Sequence, residues 1–502
     1  MERRGVQYST GDPNASPTAI GIDCGSTRAV SRGLGRGASL STVVFIIPPH
    51  LKKRGRLIPS HHPIITATLA GVAKAAQAQV FVIDMGVTSL SSIDVRIHLL
   101  DIQPDWVGLV PFEYRREMPI QPSLDLVRFL KEELPEVKYG LLNCPLHSDE
   151  SKDAVRAGHL DFAVFGDSEA FVHQVCTSDS WTGAGLFVRN GDMVEEYAPI
   201  QHVDWTLVVP PAWEFFNLNR YVPSAHRYRK SPVLPIFASR SCPFGCDFCP
   251  HMLYHSSDTH SLRPVEDIVH EIQHVQRSFG VQSVEFYDPT FGVHREHVLH
   301  LCEALVSLEV PVEWTCFSRT DLWDRDLLER IHQSGCRSIL FGVESGNKEV
   351  LARTKKGIQL PQTEQFVQWC REIGIDTVAS FIIGLPLETP DRIVETIQFA
   401  KRLNPTYAQF HQARAFFEHD DWQELGTVSG AWEETSASLN GLAYVPKGFT
   451  QRDIVRWLLS AYVHFYANPR KVGELVSTIR EWSDMKRLGK GVQQISSHFV
   501  VL

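Results

Sequence analysis

The chain has 502 residues, 43% of them hydrophobic and 21% charged, and its 49 Lys and Arg against 58 Asp and Glu leave a formal net charge of −9. Such a composition excludes a disordered, collagen-like or coiled-coil chain, and an acidic balance without a basic block excludes a nucleic acid as the main partner. No run of about 18 apolar residues occurs, and no apolar stretch follows the basic start Met1 to Gly5, so a soluble, cytoplasmic protein with no membrane partner is expected.

At roughly 150 residues per domain the length predicts about three domains, with longer ones where a barrel occurs. Residues 1–40, rich in Gly, Ser, Thr and Arg, read as a flexible leader without chemistry. From 41 to 197 short apolar runs alternate with helical patterns: strands at 43–47, 80–84, 106–110, 138–142 and 162–165, helices at 64–77, 93–100 and 123–133. Continuous apolar strands separated by helices predict a doubly wound, flavodoxin- or Rossmann-like α/β domain with a parallel sheet. In such sheets a ligand sits beyond the carboxyl ends of the strands, which points to the loops 48–63, 111–122, 143–150 and 166–169. His61, His62 and His147 lie in these loops and read as surface or hydrogen-bonded residues. A Pro- and Trp-rich stretch, 198–232, reads as an interdomain linker.

A second α/β series occupies 233–429. Strands are predicted at 234–239, 282–287, 312–318, 338–343, 377–383 and 407–411, with helices at 265–278, 295–308, 325–334, 362–373 and 390–403. Six strand–helix units predict a partial (β/α)6 TIM barrel, whose chemistry gathers just after each strand. Residues 430–502 form a helical C-terminal region, in which 451–466 carries Ile454, Trp457, Leu458, Ala461, Tyr462 and Phe465 at helical spacing, as a packing helix does.

Ten cysteines in a chain of this size are too few for a disulfide scaffold. Cys24, Cys144, Cys176, Cys302, Cys316, Cys336 and Cys370 stand apart and read as small buried hydrophobes. The other three do not: Cys242, Cys246 and Cys249 follow the first barrel strand in a Cys-x3-Cys-x2-Cys spacing. Three thiolates within eight residues can converge on one inorganic centre, and soft sulfur ligands suit an iron–sulfur cluster or zinc. A structural zinc would close its shell with a fourth ligand, His251 or His255. A cubane on three cysteines leaves one iron open to a chelating substrate.

With Phe248 just before the third cysteine, this loop resembles the signature of the radical S-adenosylmethionine (SAM) superfamily. The resemblance continues through Phe286-Tyr-Asp288-Pro-Thr-Phe291, Ser318-Arg319-Thr-Asp321, Gly342-Val-Glu344-Ser-Gly346 and Ile383-Gly384-Leu-Pro386-Leu-Glu-Thr389, over about 200 residues. It implies that Cys242, Cys246 and Cys249 hold a redox 4Fe-4S cluster whose open iron is chelated by the methionine moiety of SAM. One electron then cleaves the sulfonium to methionine and a 5′-deoxyadenosyl radical, which takes a hydrogen atom from a small-molecule substrate. A reductant such as flavodoxin or ferredoxin is implied as partner. Phe248, Asp288, Ser318, Arg319, Glu344, Gly384 and Pro386 are the implied cofactor-binding residues: Glu344 a carboxylate for ribose hydroxyls or an ammonium, Arg319 a fork for a carboxylate, the Gly384–Pro386 turn a close backbone approach to adenine.

The front domain resembles that of the cobalamin-binding class of the superfamily, on Pro48-Pro49, Ile83-Asp84, Pro104-Asp105-Trp-Val-Gly108 and Asp161-Phe-Ala-Val-Phe-Gly166-Asp167-Ser-Glu169. An Asp-x-His-x-x-Gly motif is absent, which implies a cobalamin held without a lower-axial histidine from that motif. Where the class shows Gly-Gly, this chain has Asn143-Cys-Pro145, and a proline stiffens what glycine leaves free. The activity expected from the resemblance is cobalamin-dependent methylation of an unactivated carbon of a small molecule or natural-product intermediate. A radical cyclase or rearrangement enzyme without methyl transfer is the alternative, and a non-catalytic metal-binding or regulatory protein a second.

Overall fold

The computed structural model describes residues 41–49, 61–88, 90–113, 120–146, 148–198, 203–221, 223, 228–253, 260–415, 420–429 and 443–477. The leader with Cys24, and likewise His147 and His255, lie outside these. The chain divides into two compact units, one of them comprising Met1–Arg116, Ile120–Ile200 and Thr206–Val222, the other Glu117–Pro119, Gln201–Trp205 and Pro223–Leu502.

The first unit runs β1 (Thr42–Ile47), α1 (Ile64–Ala75), β2 (Gln79–Asp84), α2 (Ser92–Ile102), β3 (Trp106–Leu109), α3 (Gln121–Lys131), β4 (Lys138–Cys144), α4 (Asp149–Arg156), β5 (Phe162–Phe165), α5 (Glu169–Ser178), β6 (Leu186–Asn190) and β7 (Met193–Glu196). Its seven strands lie in the order β2-β1-β3-β4-β5-β6-β7. The first five are mutually parallel and β6 and β7 return antiparallel. Val43 to Ile47 are fully buried, as expected of a central parallel strand covered on both faces. Because β1 leads through α1 to β2 on one side and β3 lies on the other, the strand order reverses between β1 and β3, and the carboxyl-end crevice opens there.

The stretch with a linker-like sequence is divided: Thr206–Val222 belongs to the first unit. Trp213 is wholly buried, Ala212 donates to the carbonyl of Ala67 in α1, and the Tyr221 hydroxyl donates to Asp84 at 2.8 Å. Gly71 of α1 is what allows this strap to lie so close, since a Cβ there would meet the Pro210 carbonyl oxygen at 2.8 Å.

The second unit runs β8 (Val233–Ile236), β9 (Ser239–Arg240), β10 (Ser261–Leu262), α6 (Val265–Phe279), β11 (Ser283–Phe286), α7 (Arg295–Val306), β12 (Glu313–Ser318), α8 (Arg325–Gln333), β13 (Cys336–Glu344), α9 (Lys348–Arg353), α10 (Leu360–Ile373), β14 (Asp376–Ile383), α11 (Pro390–Leu403), β15 (Tyr407–Gln412), α12 (Asp420–Leu425), β16 (Gly426–Ser429), β17 (Ala443–Pro446), α13 (Gln451–Tyr466) and α14 (Pro469–Ser477). Six parallel strands stand in the order β15-β14-β13-β12-β11-β8, an open partial barrel. A strand at such an edge presents unpaired backbone groups. On β15 the hydroxyls of Tyr462 and Tyr466 from α13 meet them, each both donating to and accepting from the backbone of Phe410 and Ala408. The packing helix foreseen at 451–466 therefore closes the edge of the barrel sheet, and its Thr450–Asp453 capping box fixes where it starts. Among the described residues no helix is long and apolar enough to cross a membrane.

Candidate functional site

The cysteine loop leaves β9 through Ser241, whose φ of +67° swings the chain into the turn carrying Cys242, Cys246 and Cys249. All three thiols are free of disulfides, Cys246 buried and the other two half-buried. The loop is anchored at several points. Cys242 Sγ lies 3.2 Å from Thr290 Oγ1 after β11, the Asp247 amide donates to the Thr354 carbonyl, and Arg353 of α9 binds the buried Asp247 carboxylate at 2.5 Å. Two cations approach Cys246. Arg319 Nη1 donates toward its sulfur at 3.8 Å while the guanidinium stacks 3.8 Å above the Phe244 ring, and Lys356 stands nearby. Burial pushes the Cys246 thiol up to about 11, with Lys356 and Arg319 pulling it back down. A buried thiol of this kind gives up its proton to a metal rather than to water, and the two cations offset the charge that results.

Arg319, at the end of β12, is held as a fork: Nε and Nη2 donate to the two oxygens of Asp321, at 3.0 and 2.7 Å, and Nη2 also reaches the Lys356 carbonyl at 2.6 Å. Glu344 ends β13 with a φ of +66°, and its buried carboxylate receives Lys356 Nζ at 2.5 Å. Phe248 packs half-buried against the apolar cluster of Val350, Leu385, Ala413, Ala415, Trp422 and Tyr444. Through Leu385 that cluster joins the Gly384-Leu-Pro386 turn after β14, where Gly384 has a φ of +93°. Cys246, Phe248, Arg319 and Glu344 thus gather around one place, with the Gly384–Pro386 turn reached through Phe248.

Asp288 and Ser318 have their hydrogen bonds engaged within the barrel. Asp288 accepts from the Ala238 amide and the Ser239 hydroxyl, at 2.8 and 2.7 Å, and so holds the strand that enters the cysteine loop; burial pushes its carboxyl up to about 6. Ser318 donates to the Phe291 carbonyl and accepts from the Trp323 indole. A small pocket beside these is lined by Ser239, His260, Asp288, Thr290, His294 and His297, with the rings of His260 and His294 stacked 5.3 Å apart.

Two residues of the site were not singled out in the sequence: Lys356, which lies outside the motifs, and Glu388, which lies inside the Ile383–Thr389 segment. Lys356 follows Lys355 in a helix-breaking stretch, and only its burial beside Glu344 reveals it. Glu388 accepts the Gly384 amide at 2.5 Å, and burial pushes its carboxyl up to about 8. Among the described residues no three of His, Cys, Asp and Glu are gathered about a single metal ion. What the loop offers is a set of soft sulfur donors flanked by cations, a chemistry that fits an anionic iron–sulfur cluster.

Residues 236–400 match the Radical SAM superfamily. This stretch is a radical SAM domain. The chain is 27% identical to an uncharacterized methyltransferase of Pyrococcus horikoshii over 57% of its own length and 62% of that protein's. It is 24% identical to the anaerobic magnesium-protoporphyrin IX monomethyl ester cyclase of Rubrivivax gelatinosus over 85% of this chain and 77% of the cyclase. The chain therefore spans less than two thirds of the first of these relatives and about three quarters of the second. In fold it is similar to the radical SAM methyltransferase TsrM of Kitasatospora setae, solved with cobalamin and a 4Fe-4S cluster, with a TM-score of 0.62, 15% identity, and 86% of this chain and 90% of that one covered.

In the first unit a buried carboxylate stands at the carboxyl ends of β1 and β3. Glu113, just beyond β3, accepts from the amides of Ile65 and Thr66 at 3.0 and 2.7 Å and from the Thr66 hydroxyl at 2.5 Å. It caps the N-terminus of α1, which has no side-chain cap of its own. Burial pushes Glu113 up to about 7; the bonds from Thr66 and Ile65 work against that shift and the charge of Asp84 adds to it. A carboxyl whose folded pKa lies above its unfolded one contributes stability at low pH and loses it as pH rises toward the folded value. Between about pH 4.5 and 7 the first unit is therefore expected to lose stability, and Glu113→Gln to flatten that slope in urea unfolding monitored by far-UV circular dichroism. An unchanged slope would show that Glu113 titrates normally.

Proposed function

We propose that this radical SAM chain is a cobalamin-dependent methyltransferase acting on an unactivated carbon of a small molecule. The observation that carries this reading is the presence, in one chain, of the three-thiol loop on a partial barrel and a doubly wound unit ahead of it. In that reading Cys242, Cys246 and Cys249 ligate a 4Fe-4S cluster. Arg319 faces the carboxylate of the methionine moiety, Glu344 its ammonium or the ribose hydroxyls, and the Gly384–Pro386 turn the adenine. Phe248 shields the cluster from water on the side of the apolar residues that it touches. Asp288 and Ser318 serve by fixing the backbone on which these groups stand.

The first unit suits a corrinoid better than a flavin or dinucleotide. Such phosphate ligands are anchored at a helix N-terminus beside the crevice, and here the amides of Ile65 and Thr66 already serve Glu113. A ligand bound at this edge must be held by other contacts, as a macrocycle fringed with amides can be. When bound, the reduced cluster supplies an electron for cleavage of the SAM sulfonium, and the corrinoid supplies the methyl group. Positioning of these groups and exclusion of water are what the chain itself contributes.

Protein produced with cobalamin available is expected to hold about one corrinoid per chain. With SAM, a strong reductant and an acceptor, it is expected to form 5′-deoxyadenosine and a product heavier by one methyl group. A corrinoid-free protein that still forms 5′-deoxyadenosine would defeat the methyltransferase reading. The second reading, a radical cyclisation without methyl transfer, is favoured by the similarity to the ester cyclase over 85% of this chain. Product mass decides between the two.

A further inference from the structure

We infer that Lys356 is a positioning residue of the SAM site: its ammonium fixes the carboxylate of Glu344 in the orientation in which SAM is met. The inference rests on the radical SAM reading and extends it to a residue outside the sequence motifs.

Lys356 is nearly as buried as Glu344, with side chains 8% and 6% exposed, and their charged ends are 2.5 Å apart. Such a pair is a poor way to gain stability. The desolvation of both charges consumes most of the attraction, and an apolar pair of like volume commonly does as well or better. The backbone around it is also costly. Glu344 and Lys355 both hold positive φ, +66° and +54°, a conformation that side chains adopt only where the surroundings force it. Gly342, two residues before Glu344 on β13, leaves the room required, because a Cβ there would collide with both Glu344 Oε1 and Lys356 Nζ. A strained residue on either partner's segment and a glycine beneath them serve one result, a buried carboxylate and ammonium locked together.

The place of the pair points to what it is for. The Lys356 carbonyl receives Arg319, which reaches Cys246, and Lys356 Nζ lies 6.0 Å from the centre of the Phe248 ring. The stretch that presents Lys356 is tied to the cysteine loop through Thr354 and Arg353. One oxygen of Glu344 is engaged by Lys356, and the carboxylate is thereby held in a single orientation beside the cysteine loop. Lysine suits this task because a compact ammonium holds one oxygen, where an arginine fork would take both.

The test is a double-mutant cycle on the anaerobically reconstituted full chain, with SAM itself as the probe. Its dissociation constant is read from the change it causes in the spectrum of the reduced cluster, so no turnover is needed. Iron content and thermal midpoint are measured alongside. Lys356→Met is expected to keep four irons and to bind SAM roughly tenfold or more weakly, as loss of a hydrogen bond to a charged group does. In the Glu344→Gln background the same change is expected to cost little more, because Lys356 acts through that carboxylate. Wild-type affinity in Lys356→Met, or an equal loss in both backgrounds, overturns the proposal. Should Lys356→Met fail to fold, Lys356→Arg carries the test: it keeps the charge but displaces the carboxylate, and wild-type affinity there also overturns it. A wild-type cluster indifferent to SAM would overturn the radical SAM reading first and this inference with it.

Discussion

Replacing Cys246 by Ala is expected to leave a protein that assembles no 4Fe-4S cluster and cleaves no SAM, with 5′-deoxyadenosine at background. Cys246 is the most buried of the three thiols and the one both cations approach. Burial makes its free thiolate unfavourable, pushing the thiol up to about 11, so the proton leaves only when iron replaces it. With two sulfurs remaining, the cubane has two corners without protein ligands. Cys302→Ala supplies the control, since that buried cysteine hydrogen bonds to Ser334 far along the chain from the loop and is expected to leave the iron content unchanged. Iron and sulfide analysis after anaerobic reconstitution decides the matter. Four irons in Cys246→Ala would remove this residue from the ligand set.

The largest loss of stability is expected from Arg263→Leu, about 3–5 kcal/mol in urea unfolding. Arg263 Nη1 donates to Glu271 Oε2 at 2.5 Å, and the two side chains are only 3% and 1% exposed. Removing the guanidinium leaves a carboxylate buried without its partner, while Arg263→Met combined with Glu271→Met is expected to recover most of the loss. Burial already raises the Glu271 pKa, and without Arg263 it rises further. A raised carboxyl pKa contributes stability at low pH that disappears as pH climbs through it. The single variant should therefore be least impaired in acid and most impaired at neutral pH. The pair also bears on the site, since the Arg263 amide donates to the Ala238 carbonyl, one residue before β9 carries the chain toward the cysteines. A loss below about 1 kcal/mol at neutral pH would mean that Glu271 is neutral in the native protein.

The five parallel strands of the first sheet and the six of the barrel were legible from their apolar residues and from the helical patterns between them. Val43 to Ile47 and the six strands of the barrel coincide with their predicted positions to within a few residues. What went unseen was of two kinds: α5 and β6 bury Phe171, Val172 and Leu186 to Val188 yet were not foreseen, and α4 and β7 have little apolar signal. Helix α4 carries only Ala154 and Val155 among eight mostly charged or polar residues, and β7 exposes Met193 and Val194. Nor did the sequence expose the fate of 206–222: Pro and Trp without periodicity resemble a linker, yet Trp213 and Tyr221 are buried by tertiary contacts that no local pattern encodes. In the site, the cysteine spacing announced itself because one short loop must bring its sulfurs together. Lys356 and Glu113 could not, because each meets its partner only after strands distant in sequence have been brought together by the sheet or the turn after α9. Asp288 and Ser318 lay at strand ends as expected, but motif position alone does not tell a ligand-facing oxygen from one spent on the protein's own backbone.

The path of the chain near residue 200 has a bearing on how such proteins can be recombined. Because Gln201–Trp205 belongs to one unit and Thr206–Val222 to the other, no single cut yields both halves intact. A graft of the front half that stops at 197 would abandon Trp213 and Tyr221, and one that continues to 222 would carry off Trp205, the indole that lies 6.0 Å from the Arg240 guanidinium. Swapping front halves between relatives therefore requires at least two junctions near residue 200, or a linker rebuilt to replace Gln201–Trp205.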